Sequence, residues 1–188
     1  MSLKKACPKD HFPLPKIDQL VDATIGYQRL SFLDTCSGYN QIPMHSEDEE
    51  KTSFITPRGL FVYKVMPFGL KNFGSTYQRF ITKIFAGLLG SIVEAYIYDT
   101  VAKNWRTEDH IADLETVFYV LRNYNMKLNS SMYFWGSLGN FLGHIVSQKG
   151  IETNPAQSKA LLETTEPKTA KEIQVLTGRI AALNRFIS

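Results

Sequence analysis

The sequence predicts an α+β fold in which an antiparallel sheet is covered on one face by two helices. Three observations carry that expectation. The elements run strand, hairpin, helix, hairpin, helix, hairpin; residues 73–88 keep an apolar stripe at the 3.6-residue period; and residues 27–34 alternate toward a strand.

Residues 1–16 carry Pro8, Pro13 and Pro15, and each pre-proline residue is held off the helical region, so this lead-in is extended. Residues 17–21 form a short helix with Asp18 and Asp22 outward, followed by the strand at 27–34. The run Ser46-Glu47-Asp48-Glu49-Glu50 reads as a solvated turn, because like charges this close repel without a bound cation. Residues 51–55 and 60–65 form a hairpin around Thr56-Pro57-Arg58-Gly59. Next comes a helix whose stripe is Phe73, Tyr77, Phe80, Ile81, Ile84, Phe85 and Leu88, capped by Asn72 or Ser75. A hairpin at 92–101 precedes a second helix from Thr107, with Glu108 and Asp109 in its first turn and Ile111, Leu114, Val117, Phe118 and Leu121 on its apolar face. Strands at 132–135 and 140–147 are joined by a turn from Gly136 to Gly139. Asn154-Pro155 starts a helix to about Glu163, and Thr169-Ala170-Lys171-Glu172 is a capping box for a terminal helix or helix pair.

With 188 residues, 44% of them apolar, the chain can bury one sizeable core. A net charge of +3 does not by itself point to a polyanion. Two cysteines, Cys7 and Cys36, give no disulfide framework, and four scattered histidines show no ligand spacing. No apolar run approaches the roughly 20 residues of a membrane span, and no signal peptide is visible; the expectation is a soluble, intracellular chain, cytoplasmic or nuclear, with no membrane partner.

The tetrapeptide Tyr96-Ile97-Tyr98-Asp99 places a carboxylate at a hairpin tip, and Asp34 ends the strand-like run Leu30-Ser31-Phe32-Leu33. Two acids on adjacent strand ends suit a site that holds Mg²⁺ against substrate phosphates. In one antiparallel sheet these ends lie side by side despite their distance along the chain.

The segment from Leu30 to Tyr39, including Leu33-Asp34-Thr35-Cys36-Ser37-Gly38-Tyr39, resembles the first catalytic motif of reverse transcriptases. Val65-Met66-Pro67-Phe68-Gly69-Leu70-Lys71-Asn72 resembles their second block, Tyr96-Ile97-Tyr98-Asp99 their Tyr-x-Asp-Asp box, and Phe141-Leu142-Gly143-His144 their primer-grip hairpin. Phe12-Pro13-Leu14-Pro15 and Gly38-Tyr39-Asn40-Gln41-Ile42 are similar to the wording of gypsy-type LTR retrotransposons, most like those of plants. The resemblance runs from about Ala6 to Ser188.

The resemblance implies a right-hand polymerase: residues 1–26 a lead-in and fingers/palm remnant, 27–150 the palm with an inserted fingers hairpin and the primer-grip hairpin, and 151–188 the start of a helical thumb. It implies RNA-directed DNA polymerisation with Mg²⁺, dNTPs and an RNA or DNA template–primer. Asp34 and Asp99 match catalytic metal ligands. Thr35, Tyr39, Phe68 and Gly69 match the nucleotide site, Tyr39 being the aromatic beneath the sugar. Gly143 and His144 match the primer grip. Lys64, Lys71, Arg79 and Lys83 supply a remnant of a surface for the nucleic-acid backbone. Further fingers strands upstream of Met1, and RNase H and integrase regions of a parent polyprotein, also follow from the resemblance.

The chain departs from this pattern at Tyr98, where the family has the first aspartate of the box. A phenol is neutral at working pH and a poor Mg²⁺ ligand, so the loss costs on the order of several powers of ten in rate. Met132 stands in place of a common lysine, and Phe73 in place of a usually small residue beside the nucleotide. The expectation is a truncated, degenerate reverse-transcriptase domain that is catalytically inactive. The alternatives are a non-catalytic module binding RNA or an RNA–DNA hybrid, and an unselected retrotransposon relic.

Overall fold

A computed structural model describes residues 7–129 and 138–186. Its centre is a three-stranded antiparallel sheet of β1 (Arg29–Asp34), β5 (Asp99–Asn104) and β4 (Val93–Tyr96), in the order β1-β5-β4. Two helices cover one face: α3 (Phe73–Ile84) and α4 (His110–Asn123). Leu33, Val93, Ala95 and Ala102 from the strands pack there with Tyr77, Ile81, Leu114, Val117 and Leu121. The opposite face is also covered. Leu30 and Val101 meet Val21 of the short helix α1 (Ile17–Asp22), and Phe141 and Val146 of a second sheet, β6 (Leu138–Phe141), β7 (His144–Ser147) and β8 (Gly150–Thr153). With both faces covered, β5 is buried at four successive positions, Thr100, Val101, Ala102 and Lys103.

Several elements differ from the sequence expectation. The first strand begins at Arg29, not at Tyr27, and the hairpin expected over 51–65 shrinks to β2 (Phe54–Thr56) and β3 (Gly59–Phe61). The acidic run is not a turn: Ser46–Glu49 forms a short helix, α2, followed by a 3-10 turn, Glu50–Thr52. Its acids lie where the helix dipole favours them, and Lys51 and Lys64 pair with Asp48 and Glu49 at 2.6 and 2.7 Å, which offsets the repulsion. Helix α3 closes at Ile84, although Phe85 beyond it is still core. Asn72 flanks α3 without capping it, because its side-chain oxygen accepts instead from the Asp10 amide at 2.9 Å.

Helix α4 starts at His110, three residues later than expected. His110 turns inward, with Nε2 2.8 Å from Ser31 Oγ, and Ile111 is 54% exposed, so the buried face is His110, Leu114, Val117 and Leu121. The expected strand at 132–135 lies outside the described residues. Residues 140–147 are not one strand but part of a hairpin turning on Leu142 and Gly143, both with left-handed φ (52° and 84°). Gly139 sits in β6 rather than in a turn; a Cβ there would fall 1.9 Å from the Phe32 ring, so only glycine lets β6 cross β1 this closely. Residues 150–153 add a further strand, β8, to β7.

The chain ends in α5 (Pro155–Leu162), with Asn154 accepting from the Ala156 amide, and α6 (Ala170–Ala182), opened by the complete Thr169–Glu172 capping box. Arg185 then reaches back to Asp22, and to Asp18 at 3.7 Å.

One charged pair is enclosed within this framework. Lys103 and Glu94, 2% and 7% exposed, pair at 2.7 Å between β5 and β4. The ammonium also donates to the Ala23 carbonyl at 2.7 Å and lies 4.6 Å from the Tyr27 ring centre, tying the segment after α1 to the sheet. Lys103→Met would leave Glu94 buried without its cation. It should lower unfolding free energy by about 3–5 kcal/mol in urea titrations.

Candidate active site at paired strand ends

Antiparallel pairing puts Asp34 directly opposite Asp99 in the ladder between β1 and β5. Residues in such a pair have Cβ atoms about 4.5–5.5 Å apart, so two carboxylates share one small region at the strand ends. Asp99 has its carboxyl pushed above the ordinary range, first by the protein around it and then by the charge of Asp34. Two acids that face each other in this way raise the proton affinity of one of them, here Asp99.

The β4–β5 hairpin turns on Ile97 and Tyr98, with Tyr96 paired to Asp99. Ile97 adopts φ 52°, a left-handed conformation that a β-branched residue resists. Gln78 on α3 holds it there: the Ile97 amide donates to its Oε1 at 2.7 Å, and its Nε2 donates to the Ala95 carbonyl at 3.2 Å. Gln78 was missed in the sequence. The available signal was a polar residue on the buried arc between Tyr77 and Ile81, where only a hydrogen-bonded amide is tolerated.

Tyr98 is half-buried in a group of five rings. Its ring centre is 4.7 Å from Tyr77, 5.7 Å from Phe73 and 6.1 Å from Tyr39; Phe68, 79% exposed, rests against Tyr39 and Phe73. The Tyr98 hydroxyl is buried with no hydrogen-bond partner among the described residues. Burial, with the neighbouring Tyr77 and Tyr39 phenols, raises its pKa well above the usual phenol value, so it stays protonated. Tyr77 is pushed up to about 12 by burial, and its hydroxyl donates to Thr35 Oγ1 at 2.8 Å. Gly38 lies under this group. A Cβ there would fall 2.6 Å from both Thr35 Oγ1 and Tyr77 Oη, and 2.8 Å from Tyr98 Cδ1.

The expected site residues divide into three groups. Asp34, Asp99, Tyr39, Phe68 and Tyr98 converge around the hairpin tip, with Gly69 next to Phe68 in a left-handed conformation (φ 95°). Thr35 is buried and occupied by Tyr77 rather than turned toward a ligand. Gly143 and His144 line a separate cleft with Asp18, Asp22 and Arg185. His144 packs near Phe186, and burial followed by the Arg185 charge lowers its pKa, keeping the imidazole neutral at neutral pH.

The expected basic surface is reduced. Arg79 grips the Asp10 carboxylate at 2.6 Å and lies 5.0 Å from the Phe12 ring centre, and Lys64 is paired with Glu49. Lys71 and Lys83 are exposed.

A hard divalent cation fits this donor set only in part. Asp34 and Asp99 supply two hard oxygen donors whose mutual repulsion a cation would relieve, which suits Mg²⁺ completed by water or phosphate oxygens. Among the described residues no three His, Cys, Asp or Glu side chains are placed to share a metal ion.

Two outcomes follow from this geometry. Tyr98→Phe removes an unpartnered buried hydroxyl and should raise stability by roughly 1 kcal/mol in denaturant titrations. Asp99 binds its proton more tightly folded than unfolded, so stability falls as pH rises from the ordinary carboxylate range through its raised folded value. Asp99→Asn should flatten that decline and be the more stable form at neutral pH in cation-free thermal unfolding.

The chain matches the family model "Reverse transcriptase (RNA-dependent DNA polymerase)" over residues 1–146. It is 33% identical over 179 residues to the retrovirus-related Pol polyprotein from transposon 297 of Drosophila melanogaster, covering 95% of this chain and 17% of that protein. To the Pol polyprotein from transposon gypsy of the same fly it is 31% identical, covering 95% and 17%. To the transposon Tf2-3 polyprotein of Schizosaccharomyces pombe it is 31% identical, covering 98% and 14%. The chain thus spans less than a fifth of these relatives. Among solved structures, a foamy viral protease–reverse transcriptase dRH in complex with double-stranded DNA superposes with a TM-score of 0.88 at 18% identity, covering 96% of this chain and 32% of that one. The foamy viral enzyme in complex with an RNA/DNA hybrid gives 0.81 at 19% identity, covering 94% and 24%. At these identities the likeness establishes the fold, that of a polymerase palm.

Proposed function

This chain belongs to the reverse transcriptase family, of the gypsy-type LTR retrotransposon kind, and on that footing we propose that it is a polymerase palm that has lost catalysis. The family reaction joins a dNTP to a primer: the 3′-hydroxyl attacks the α-phosphate and pyrophosphate leaves, with divalent cations neutralising the developing charge. Asp34 and Asp99 would hold one Mg²⁺ here. Tyr39, Phe68 and Gly69 would face the incoming nucleotide, and Gly143 and His144 would steady the primer end. Residues 27–150 make the palm with its fingers and primer-grip hairpins, 1–26 the lead-in, and 151–188 the start of the thumb. The natural setting is a polyprotein with RNase H and integrase regions, acting on an RNA or DNA template–primer.

The observation that carries the loss of catalysis is Tyr98: a buried, protonated phenol among aromatic rings, at the position where the family has a carboxylate. With two acids instead of three, the site lacks the charge to hold two divalent cations in line with the reacting phosphate. Removal of a single preorganised charge-stabilising group typically slows such chemistry by at least about a hundredfold. The engagement of Arg79 and Lys64 by acidic side chains further weakens any hold on the nucleic-acid backbone.

Primer extension on a poly(rA)/oligo(dT) substrate with Mg²⁺ and dTTP tests this reading. The chain should give no Mg²⁺-dependent incorporation above a no-protein control. Extension that scales with protein concentration and is abolished by Asp34→Asn would overturn it.

A further inference from the structure

We propose that Tyr98 and Phe73 together plug the nucleotide position, so that the chain excludes nucleoside triphosphates before any chemistry. The inference rests on the reading that Tyr39, Phe68 and Gly69 face the nucleotide, and it adds a steric block to the missing charge.

The two rings pack on each other at 5.7 Å and share their remaining contacts. Tyr98 is 4.7 Å from Tyr77 and 6.1 Å from Tyr39; Phe73 is 5.4 Å from Tyr39 and 5.7 Å from Phe68. Ring centres about 4.5–7 Å apart are in direct contact. A ribose or base cannot pass between rings at these separations without forcing them apart. The floor is closed as well, since Tyr98 Cδ1 lies where a side chain on Gly38 would begin. An aspartate at 98 is too short to reach these rings, and a small residue at 73 would leave Tyr39 uncovered on that side. The plug therefore needs both rings. Phe68, 79% exposed, is the most open of the five rings.

The plug is also stable. Its rings bury apolar surface against one another, whereas an open site would expose Tyr39 and Gly38. Opening it takes the removal of side-chain volume.

The test is equilibrium dialysis of labelled dGTP with Mg²⁺ against the full chain and its Tyr98→Ala, Phe73→Ala and doubly substituted forms, with primer extension run in parallel. All four proteins share the same ends, so contacts outside the pocket cancel in the comparison. The wild-type chain should bind weakest and the double variant at least about tenfold tighter, with each single variant between them. Circular dichroism establishes which variants are folded. If Tyr98→Ala does not fold, Phe73→Ala alone, whose ring is only half-buried, must still bind dGTP more tightly than wild type. Wild-type binding as tight as that of a folded variant, or no gain in a folded double variant, overturns the plug and leaves the loss of catalysis standing. Primer extension by the wild-type chain overturns the loss of catalysis itself.

Discussion

The register between β1 and β5 is the constraint on which the site depends. Leu33 and Ala102 point into the helix-covered face, Leu30 and Val101 into the face covered by α1 and the second sheet. A one-residue slip would exchange these sets and drive Asp34 and Lys103 toward the wrong sides. With both faces buried, the ladder has one acceptable alignment, and it sets Asp34 against Asp99. That alignment also prevents Asp99 from moving back one position to take the place of the carboxylate missing at 98. Gln78 adds a second lock by tying the hairpin tip to α3 through two hydrogen bonds.

The phenol at the tip, Tyr98, therefore has local contacts and leaves the scaffold to the sheet and helices. The core from Leu33 to Met126 is made of apolar side chains and Tyr77, and the helices close over the sheet through it. The phenol sits in the small volume between Gly38, Tyr39 and α3. There Tyr98 packs against Tyr77, Phe73 and Tyr39. The residues that fold the sheet are distinct from Asp34 and Asp99 at the strand ends.

Much of this was legible in the sequence where the signal is local. The 3.6-residue stripe of α3, the Asn154-Pro155 start of α5 and the Thr169–Glu172 capping box depend on residues within a turn of one another, and each appears as expected. The pairing of Asp34 with Asp99 was legible because two strand ends and a short hairpin leave few arrangements. The departures arise from partners far along the chain. The Ser46–Glu49 helix leans on Lys64, Asn72 gives up its cap to Asp10, Arg79 is drawn to the same aspartate, and α4 starts late because His110 turns inward to Ser31. Gly139 looked like a turn residue because nothing local reveals that the Phe32 ring lies against it. The role of Gln78 and the filling of the space beside Tyr39 required the fold to be seen.

The proposed loss of a carboxylate at Tyr98 implies a site that holds one divalent cation where the family's reaction uses two. Mn²⁺ titration followed by electron paramagnetic resonance counts those ions directly on the intact chain. One bound Mn²⁺ per chain, lost in Asp34→Asn, is the expected result. Two ions per chain with the exchange coupling of a close pair, both lost in Asp34→Asn, would show an intact two-cation centre and contradict the assignment of Tyr98 as the lesion.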